Sequence, residues 1–313
     1  MTRARVPTCS ALAIIALGSC AEPAPARCER DVDCPVDLAC GGDGTCGSSP
    51  VTRVFAIATL GIPGTDGTRA RGFDLDGVTS PGSGTSCVDR AHDYVSWADP
   101  SVSGIDDAMA ALVPTLAMFF ACPEGLDPEA CVASSCTASI TRGSTLLAIE
   151  LRDVDSWRDD GDVEVVVHRA RVPRCPDGEI CAPALDGERL AADQRFVLEP
   201  LASASGSIDD GALRVAIEGP VPLSIDGGDV VFELVLRDTL LEAGIDATGL
   251  HDAVLGGGFD LMSPHTCGIS GLCSPSPSPL EQLADLDPDP ADPASCRRLS
   301  ISLTFSAIPA LVP

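Results

Sequence analysis

The feature that most constrains this chain is a series of short apolar runs, beginning at Val51, separated by turns rich in Gly, Asp and Pro. In residues 299–305, apolar and hydroxyl side chains alternate, which is the pattern of a β-strand with one buried face. Many short strands with few intervening helices are typical of all-β domains. The sequence therefore predicts an antiparallel β-sandwich or jelly roll over residues 51–313. The predicted strands are residues 51–60, 144–154, 162–172, 195–199, 212–218, 222–225, 230–237 and 299–308.

Two segments depart from this pattern. Residues 106–120 begin with two Asp residues, which suit the first turn of a helix, and continue as an apolar run. Pro114 is expected to kink this helix or to split it in two. We expect the segment to form a buried helical cap over one end of the β-domain, and residues 276–286 to form a second, short helix.

The composition of the chain is strongly acidic, with 46 Asp and Glu residues against 20 basic residues and a formal net charge of −26. Every basic residue is Arg, because Lys is absent, and Asn is absent as well. A negative field of this size repels nucleic acid and favours cations as partners. We therefore expect no nucleic-acid partner.

The first residues have the composition of a bacterial export signal. A basic start precedes the apolar run of residues 11–17, and small residues lead to Cys20. The run is shorter than the roughly 20 residues that a membrane-spanning helix needs. Residues 17–20 resemble the lipobox of bacterial lipoproteins, which implies that residues 1–19 are removed and that Cys20 is acylated. Ala21, rather than Asp, follows the cysteine, and the resemblance then implies an outer-membrane lipoprotein, on its periplasmic face or at the cell surface, held by its lipid anchor.

A linker over residues 20–27 leads to a cysteine-rich module over residues 28–46, in which four cysteines recur every six residues. So short a segment cannot bury a core, and we expect two disulfides to replace one. The spacing is not that of a zinc ribbon, and three pairings stay open. One of them joins Cys28 to Cys40 and Cys34 to Cys46. The segment resembles the Dickkopf-like modules of predicted lipoproteins from myxobacterial-type organisms, which implies an extracellular spacer or interaction module.

Nine more cysteines lie within residues 51–313, a frequency typical of an oxidising compartment. Their spacing favours three local pairs that close small loops, namely Cys131–Cys136, Cys175–Cys181 and Cys267–Cys273. At least one cysteine is then left without a partner in this domain, among Cys87, Cys122 and Cys296. No His-partnered signature accompanies these residues, so we assign no catalytic cysteine.

Acidic clusters are the strongest candidates for a binding site. Asp74 and Asp76 lie in an Asp-x-Asp-Gly turn, and Asp106 and Asp107 follow a Gly-Ile pair. Loops with closely spaced carboxylates supply the oxygen ligands that calcium needs, and we predict a calcium site at these four residues. The acidic run at residues 285–292 has Pro where an EF-hand needs Gly. The alternative interpretation is that these Asp residues are ordinary turn residues of a chain without Asn.

The order of these motifs resembles an uncharacterised family of predicted myxobacterial lipoproteins. The shared pieces are residues 72–77, Cys87, residues 104–107 and the C-terminal segment 296–307. Members commonly carry Asn where this chain has Asp107. The resemblance implies location and architecture, and it supplies no catalytic residue.

Compact catalytic motifs are absent from the sequence. The histidines show neither H-x-x-x-H nor H-E-x-x-H spacing, and no G-x-S-x-G or G-K-S/T sequence occurs. We therefore predict a non-catalytic surface interaction or structural role, stabilised by calcium, with an unidentified protein or glycan partner. Two alternatives stay open: a secreted glycosidase-like hydrolase whose paired carboxylates the sequence does not locate, and a small-ligand binding protein with an apolar pocket under residues 106–120. Aromatic residues make up only 4% of the chain, which weakens the glycosidase alternative.

Overall fold

The computed structural model describes residues 51–80, 86–90, 93–176, 178–226, 231–260 and 283–312. It also describes residue 27 and two short paired strands in the cysteine-rich module, β1 (Ala39–Cys40) and β2 (Cys46–Gly47), in which Cys46 is disulfide-bonded. Several predictions fall outside the described residues. They are the export signal with Cys20, the pairings of Cys28, Cys34 and Cys40, and the Cys267–Cys273 pair. The same holds for most of the predicted helix over residues 276–286.

Strands make up most of the described chain, and four helical elements lie in the connection between β3 and β7. The strands after β2 are β3 (Val51–Gly61), β4 (Arg69–Ala70), β5 (Tyr94–Ser96), β6 (Ser103–Ile105), β7 (Leu147–Val154), β8 (Asp160–Arg171), β9 (Leu185–Asp186), β10 (Arg189–Leu190), β11 (Val197–Asp209), β12 (Ala212–Ile217), β13 (Val221–Asp226), β14 (Val231–Asp246), β15 (Gly249–Asp260), β16 (Leu286–Asp289) and β17 (Asp292–Ala310). The helices are α1 (Cys87–Arg90), a 3-10 helix (Ala108–Leu112), α2 (Val113–Phe119) and α3 (Pro128–Arg142).

Eight strands close into one antiparallel barrel, in the order β3, β7, β8, β11, β12, β14, β15 and β17. Each barrel strand pairs with the barrel strand that follows it in this order, and β17 pairs with β3 to complete the ring. Closure occurs at β14, which pairs with β12 through residues 239–244 and with β15 on its other edge. The remaining part of β14, residues 231–236, pairs with β13.

The prediction of a sandwich or jelly roll is therefore wrong, because the strands follow an up-and-down order around a single barrel. The physical reason is that alternation of apolar and polar residues indicates burial of one strand face and not the way the sheet is arranged. A period of two shows that one face of a strand is buried, and it does not distinguish a second sheet from the far side of the same closed sheet.

Side-chain alternation determines the interior of the barrel. In β12, Leu213, Val215 and Ile217 are buried, and in the closing pair Val215 lies opposite Leu241 of β14. All eight strands contribute to one buried apolar cluster. A barrel of this size encloses a space that side chains can fill, and here apolar side chains occupy it.

One barrel strand, β15, was not predicted from the sequence. Three consecutive glycines, residues 256–258, stand in its second half and hide the alternation. Glycine also weakens strand propensity, so only its pairing with β14 and β17 makes the segment a strand.

The longest helix, α3, was also missed. The side chain of Asp127 caps it by accepting a hydrogen bond from the Ala130 amide at 2.9 Å, and the helix ends at Gly143 with a φ of +84°. Its residues Val132 and Ile140 are buried in the main cluster. By contrast, the predicted cap over residues 106–120 is present as two elements, the 3-10 helix and α2, with Pro114 in the first turn of α2.

Three disulfides link described cysteines. The predicted Cys175–Cys181 bridge is present, whereas the others are Cys87–Cys296 and Cys122–Cys131. The predicted Cys131–Cys136 bridge is wrong, because both residues lie on α3, where a separation of five residues turns side chains about 140° apart. Cys136 is a free, buried thiol. Burial raises its pKa to about 12, so it behaves as a small core residue.

Candidate metal site

The candidate site lies in the outer loop, which we define as residues 62–107, described except for residues 81–85 and 91–92. This loop contains the small sheet of β4, β5 and β6, and it lies against the outer face of β15 and β17. At Gly256 of β15, a Cβ atom would come within 2.5 Å of the Phe73 ring. At Gly72, a Cβ atom would come within 2.5 Å of the Ser302 hydroxyl. Two glycines, one on each side of the contact, therefore let the loop approach the barrel closely.

Three of the four predicted metal ligands converge in this loop. Carboxylate oxygens of Asp74, Asp76 and Asp106, one from each residue, all lie within 4.8 Å of one another. Asp106 is 2% exposed, whereas Asp74 lies at the surface and Asp76 is half-buried. The cluster is thus a shallow site with a buried floor and an open side.

Backbone amides hold each of these carboxylates through one oxygen. Asp106 Oδ2 accepts from the amides of Leu75 at 2.6 Å and Asp76 at 3.2 Å. Asp74 Oδ1 accepts from Gly77 at 2.7 Å, and Asp76 Oδ1 accepts from Val78 at 2.8 Å. Within the described residues, the second oxygen of each carboxylate accepts no hydrogen bond, and none of the three forms an ion pair. These oxygens are the available ligand atoms.

The charges in the cluster repel one another. Burial, together with the nearby carboxylates of Asp76, Asp285 and Asp93, raises the pKa of Asp106 to about 8, although the hydrogen bond from the Leu75 amide lowers it. Burial also raises the pKa of Asp76, to which Asp74 adds. A bound cation would remove this repulsion, since it interacts favourably with the ionised form of every carboxylate.

The fourth predicted ligand, Asp107, faces a different environment. It is 1% exposed, and its Oδ1 caps the 3-10 helix by accepting from the Ala110 amide at 3.1 Å. Burial, with the nearby charge of Asp285, raises its pKa well above the ordinary value. The structure does not bring Asp107 into the triad, and its observed role is to cap the helix.

Asp285 is a buried carboxyl that the sequence analysis did not assign to the site. It is 3% exposed, and its two oxygens accept hydrogen bonds from the amide and the hydroxyl of Ser300. The Ser300 hydroxyl in turn accepts from the Ala108 amide at 2.7 Å. Burial raises the pKa of Asp285 to about 7. Nothing in the sequence spacing could have indicated this chain of contacts, because it joins segments almost two hundred residues apart.

The predicted helical cap packs against the core of the barrel. Met109, Val113, Leu116 and Phe120 are buried in the same apolar cluster as the barrel interior. This packing favours a structural role for the cap, and the apolar pocket under residues 106–120 stays a prediction.

No protein-family model, no curated protein and no solved structure matches this chain. In the part of the chain that the structure describes, no helix is both long and apolar enough to span a membrane.

Proposed function

We propose that this protein is a lipid-anchored, non-catalytic component of the bacterial cell envelope, in which calcium stabilises the outer loop as an interaction surface on the barrel. The leader that ends at Cys20 and the high cysteine content support the location. The single observation that carries the calcium site is the convergence of Asp74, Asp76 and Asp106 to within 4.8 Å.

The three carboxylates fit calcium better than they fit a transition metal. Calcium prefers oxygen ligands in a flexible arrangement, and neither His nor Cys belongs to the cluster. It takes six to eight oxygens, so water molecules must complete the shell around three carboxylates. A site of this kind belongs with extracellular calcium modules, whose dissociation constants are about 10⁻⁴–10⁻³ M.

The hydrolase alternative finds little support in the buried carboxyls. Asp107 and Asp285 have the raised pKa values that an acid catalyst needs, but they are 1% and 3% exposed. A general acid must come within hydrogen-bonding distance of its substrate, and these two groups are buried. Their position instead favours a structural role.

Thermal unfolding with and without calcium tests the metal site. We expect calcium at about ten times its dissociation constant to raise the Tm of the wild-type protein, because a ligand that binds only the folded state stabilises it by mass action. The Asp74→Asn/Asp76→Asn variant should show no such rise. The matched control, Asp153→Asn/Asp162→Asn, removes two carboxylates elsewhere on the barrel surface and should retain the full response. An equal response in both variants, or none in the wild type, would exclude the proposed site.

The anchor is tested separately by labelling cells with radioactive palmitate. We expect label on the wild-type protein and none on Cys20→Ala, since acylation needs the thiol. Equal labelling of the two proteins, or no label on either, would refute the anchor while leaving the calcium site to its own test.

A further inference from the structure

A groove of about 700 Å³ lies between α3 and the outer faces of β3 and β17, and no residue of the acidic triad lines it. This volume is within the range of small-ligand sites. The helix side, with residues spaced three and four apart, consists of small side chains only: Ala130, Ala133, Ser134, Thr137, Ala138 and Thr141. A ligand can therefore approach the α3 groove closely along its whole helical wall.

The floor of the α3 groove carries hydroxyl groups. Thr59 of β3 and Thr304 and Ser306 of β17 line it, and the hydroxyls of Thr59 and Ser306 lie 2.7 Å apart. Phe305 also lines the groove, but its side chain is buried in the main cluster. The accessible lining is thus suited to hydrogen bonds with a polar ligand rather than to ring stacking.

An extended peptide is a poor occupant, because the nearby strand edge is already taken. The Thr137 hydroxyl accepts a hydrogen bond from the Leu60 amide at 3.2 Å and donates one to the Leu60 carbonyl. A peptide that adds a strand to β3 needs these backbone groups. Recognition in the α3 groove must therefore come from side chains.

Arg71 is the feature that points to a ligand. This residue lines the groove and is partly buried, and its guanidinium forms no hydrogen bond or ion pair within the described residues. An Arg without an acidic partner is unexpected in a chain with a net charge of −26. The planar fork of Arg matches a carboxylate, which it can bind through two parallel hydrogen bonds.

Two exposed carboxylates, Glu188 and Asp252, line the same groove and limit what the ligand can be. They repel a second anionic group, while they can accept hydrogen bonds from hydroxyls. A ligand that satisfies all these groups carries one carboxylate and several hydroxyls. We propose that the α3 groove binds a monoanionic acidic sugar of the uronic-acid class, with its carboxylate on Arg71 and its hydroxyls on the Ser, Thr and carboxylate side chains.

The test is a titration of the isotope-labelled protein with D-glucuronate and with D-glucose, followed by heteronuclear NMR. We expect glucuronate to bind about tenfold more tightly than glucose, since hydrogen bonds between two charged groups are stronger than those to a neutral hydroxyl. The shifted amide signals should belong to residues of α3, β3 and β17. Arg71→Gln should remove the preference, while Arg214→Gln, the same charge change on β12, should keep it.

Further variants and a further ligand distinguish binding in the α3 groove from binding at the triad and from peptide binding. Ala138→Leu, which fills the groove, should abolish binding, and Asp74→Asn/Asp76→Asn should not alter it, because the α3 groove is distinct from the triad. Equal affinity for glucose and glucuronate, or unchanged preference in Arg71→Gln, would overturn the proposal. It would also be overturned if neither sugar bound, or if a glycyl-alanine dipeptide bound in place of glucuronate.

Discussion

The barrel and the outer loop are held by different forces, although they lie against each other. The barrel closes on itself through strand pairing, and one large apolar cluster fills it. Among its described residues, the outer loop has a separate buried cluster of three, Ala70, Tyr94 and Ile105. A disulfide and close contacts at glycines attach the loop to the barrel, and carboxylates that accept backbone hydrogen bonds hold the loop together internally. The barrel should therefore be insensitive to pH and metal, whereas the position of the loop should depend on both.

The largest expected effect is on the barrel. Leu241→Ala removes a side chain that is 1% exposed and lies opposite Val215 in the closing strand pair. We expect the free energy of unfolding to fall by about 2–5 kcal/mol, measured by denaturant titration. The calcium-induced rise in Tm should be unchanged, because Leu241 belongs to the apolar cluster of the barrel, whereas the triad lies in the outer loop. Leu185→Ala, at a site 45% exposed, is the control and should cost much less. A lost calcium response in Leu241→Ala would show that the two regions are not independent.

The next largest effect concerns the covalent link between the two regions. Cys87 in α1 of the outer loop is bonded to Cys296 of β17, and removal of a native disulfide costs about 2–5 kcal/mol. We expect Cys87→Ala/Cys296→Ala to remain folded as a barrel, with increased hydrogen exchange confined to the outer loop. Cys175→Ala/Cys181→Ala, which opens a loop of six residues, should cost less. Global unfolding of the first variant alone would show that the barrel depends on the loop.

How much could be predicted from sequence also differs between the two regions. The barrel strands β3 and β12 were predicted close to their observed bounds, and residues 299–308 form the middle part of the longer strand β17, since burial of one face determines the pattern locally. Closure of the barrel was not predictable, because it depends on the pairing of β12 with β14 and no single segment encodes it.

In the outer loop, the sequence pointed to Asp74, Asp76 and Asp106 by their turn chemistry. It could not predict the burial of Asp107 or its proximity to Asp285, since both follow from the packing of this part of the chain against β17.

A smaller effect is expected at the contact between the loop and the barrel. Gly256→Ala places a methyl group within 2.5 Å of the Phe73 ring, and overpacking of this kind costs about 1–3 kcal/mol. We expect a reduced Tm together with weaker calcium binding, because Asp74 directly follows Phe73. Gly161→Ala on β8 is the control, since nothing lies within 4 Å of its added Cβ atom. Unaltered calcium affinity in Gly256→Ala would show that calcium binding at the triad does not depend on the packing of Phe73 against Gly256.

The last effect is the pH dependence that Asp106 imposes. Its pKa is about 8 in the folded protein, because of burial, and near 3.8 when it is exposed, so the folded state binds more protons between these values. The contribution of this group to stability without calcium should therefore be highest below about pH 4 and should fall as the pH rises towards 8.

Asp106→Asn keeps an oxygen for the Leu75 and Asp76 amides and removes the ionisation. The Tm of this variant relative to wild type should thus increase between pH 4 and pH 8, whereas Asp153→Asn should show no such trend. Calcium should reverse the sign of this Tm difference at pH 8, since it stabilises only the protein that retains the Asp106 carboxylate. Parallel pH profiles of Tm in wild type and Asp106→Asn would mean that ionisation of this carboxyl does not destabilise the protein, and the main electrostatic reason for a cation at the triad would be lost.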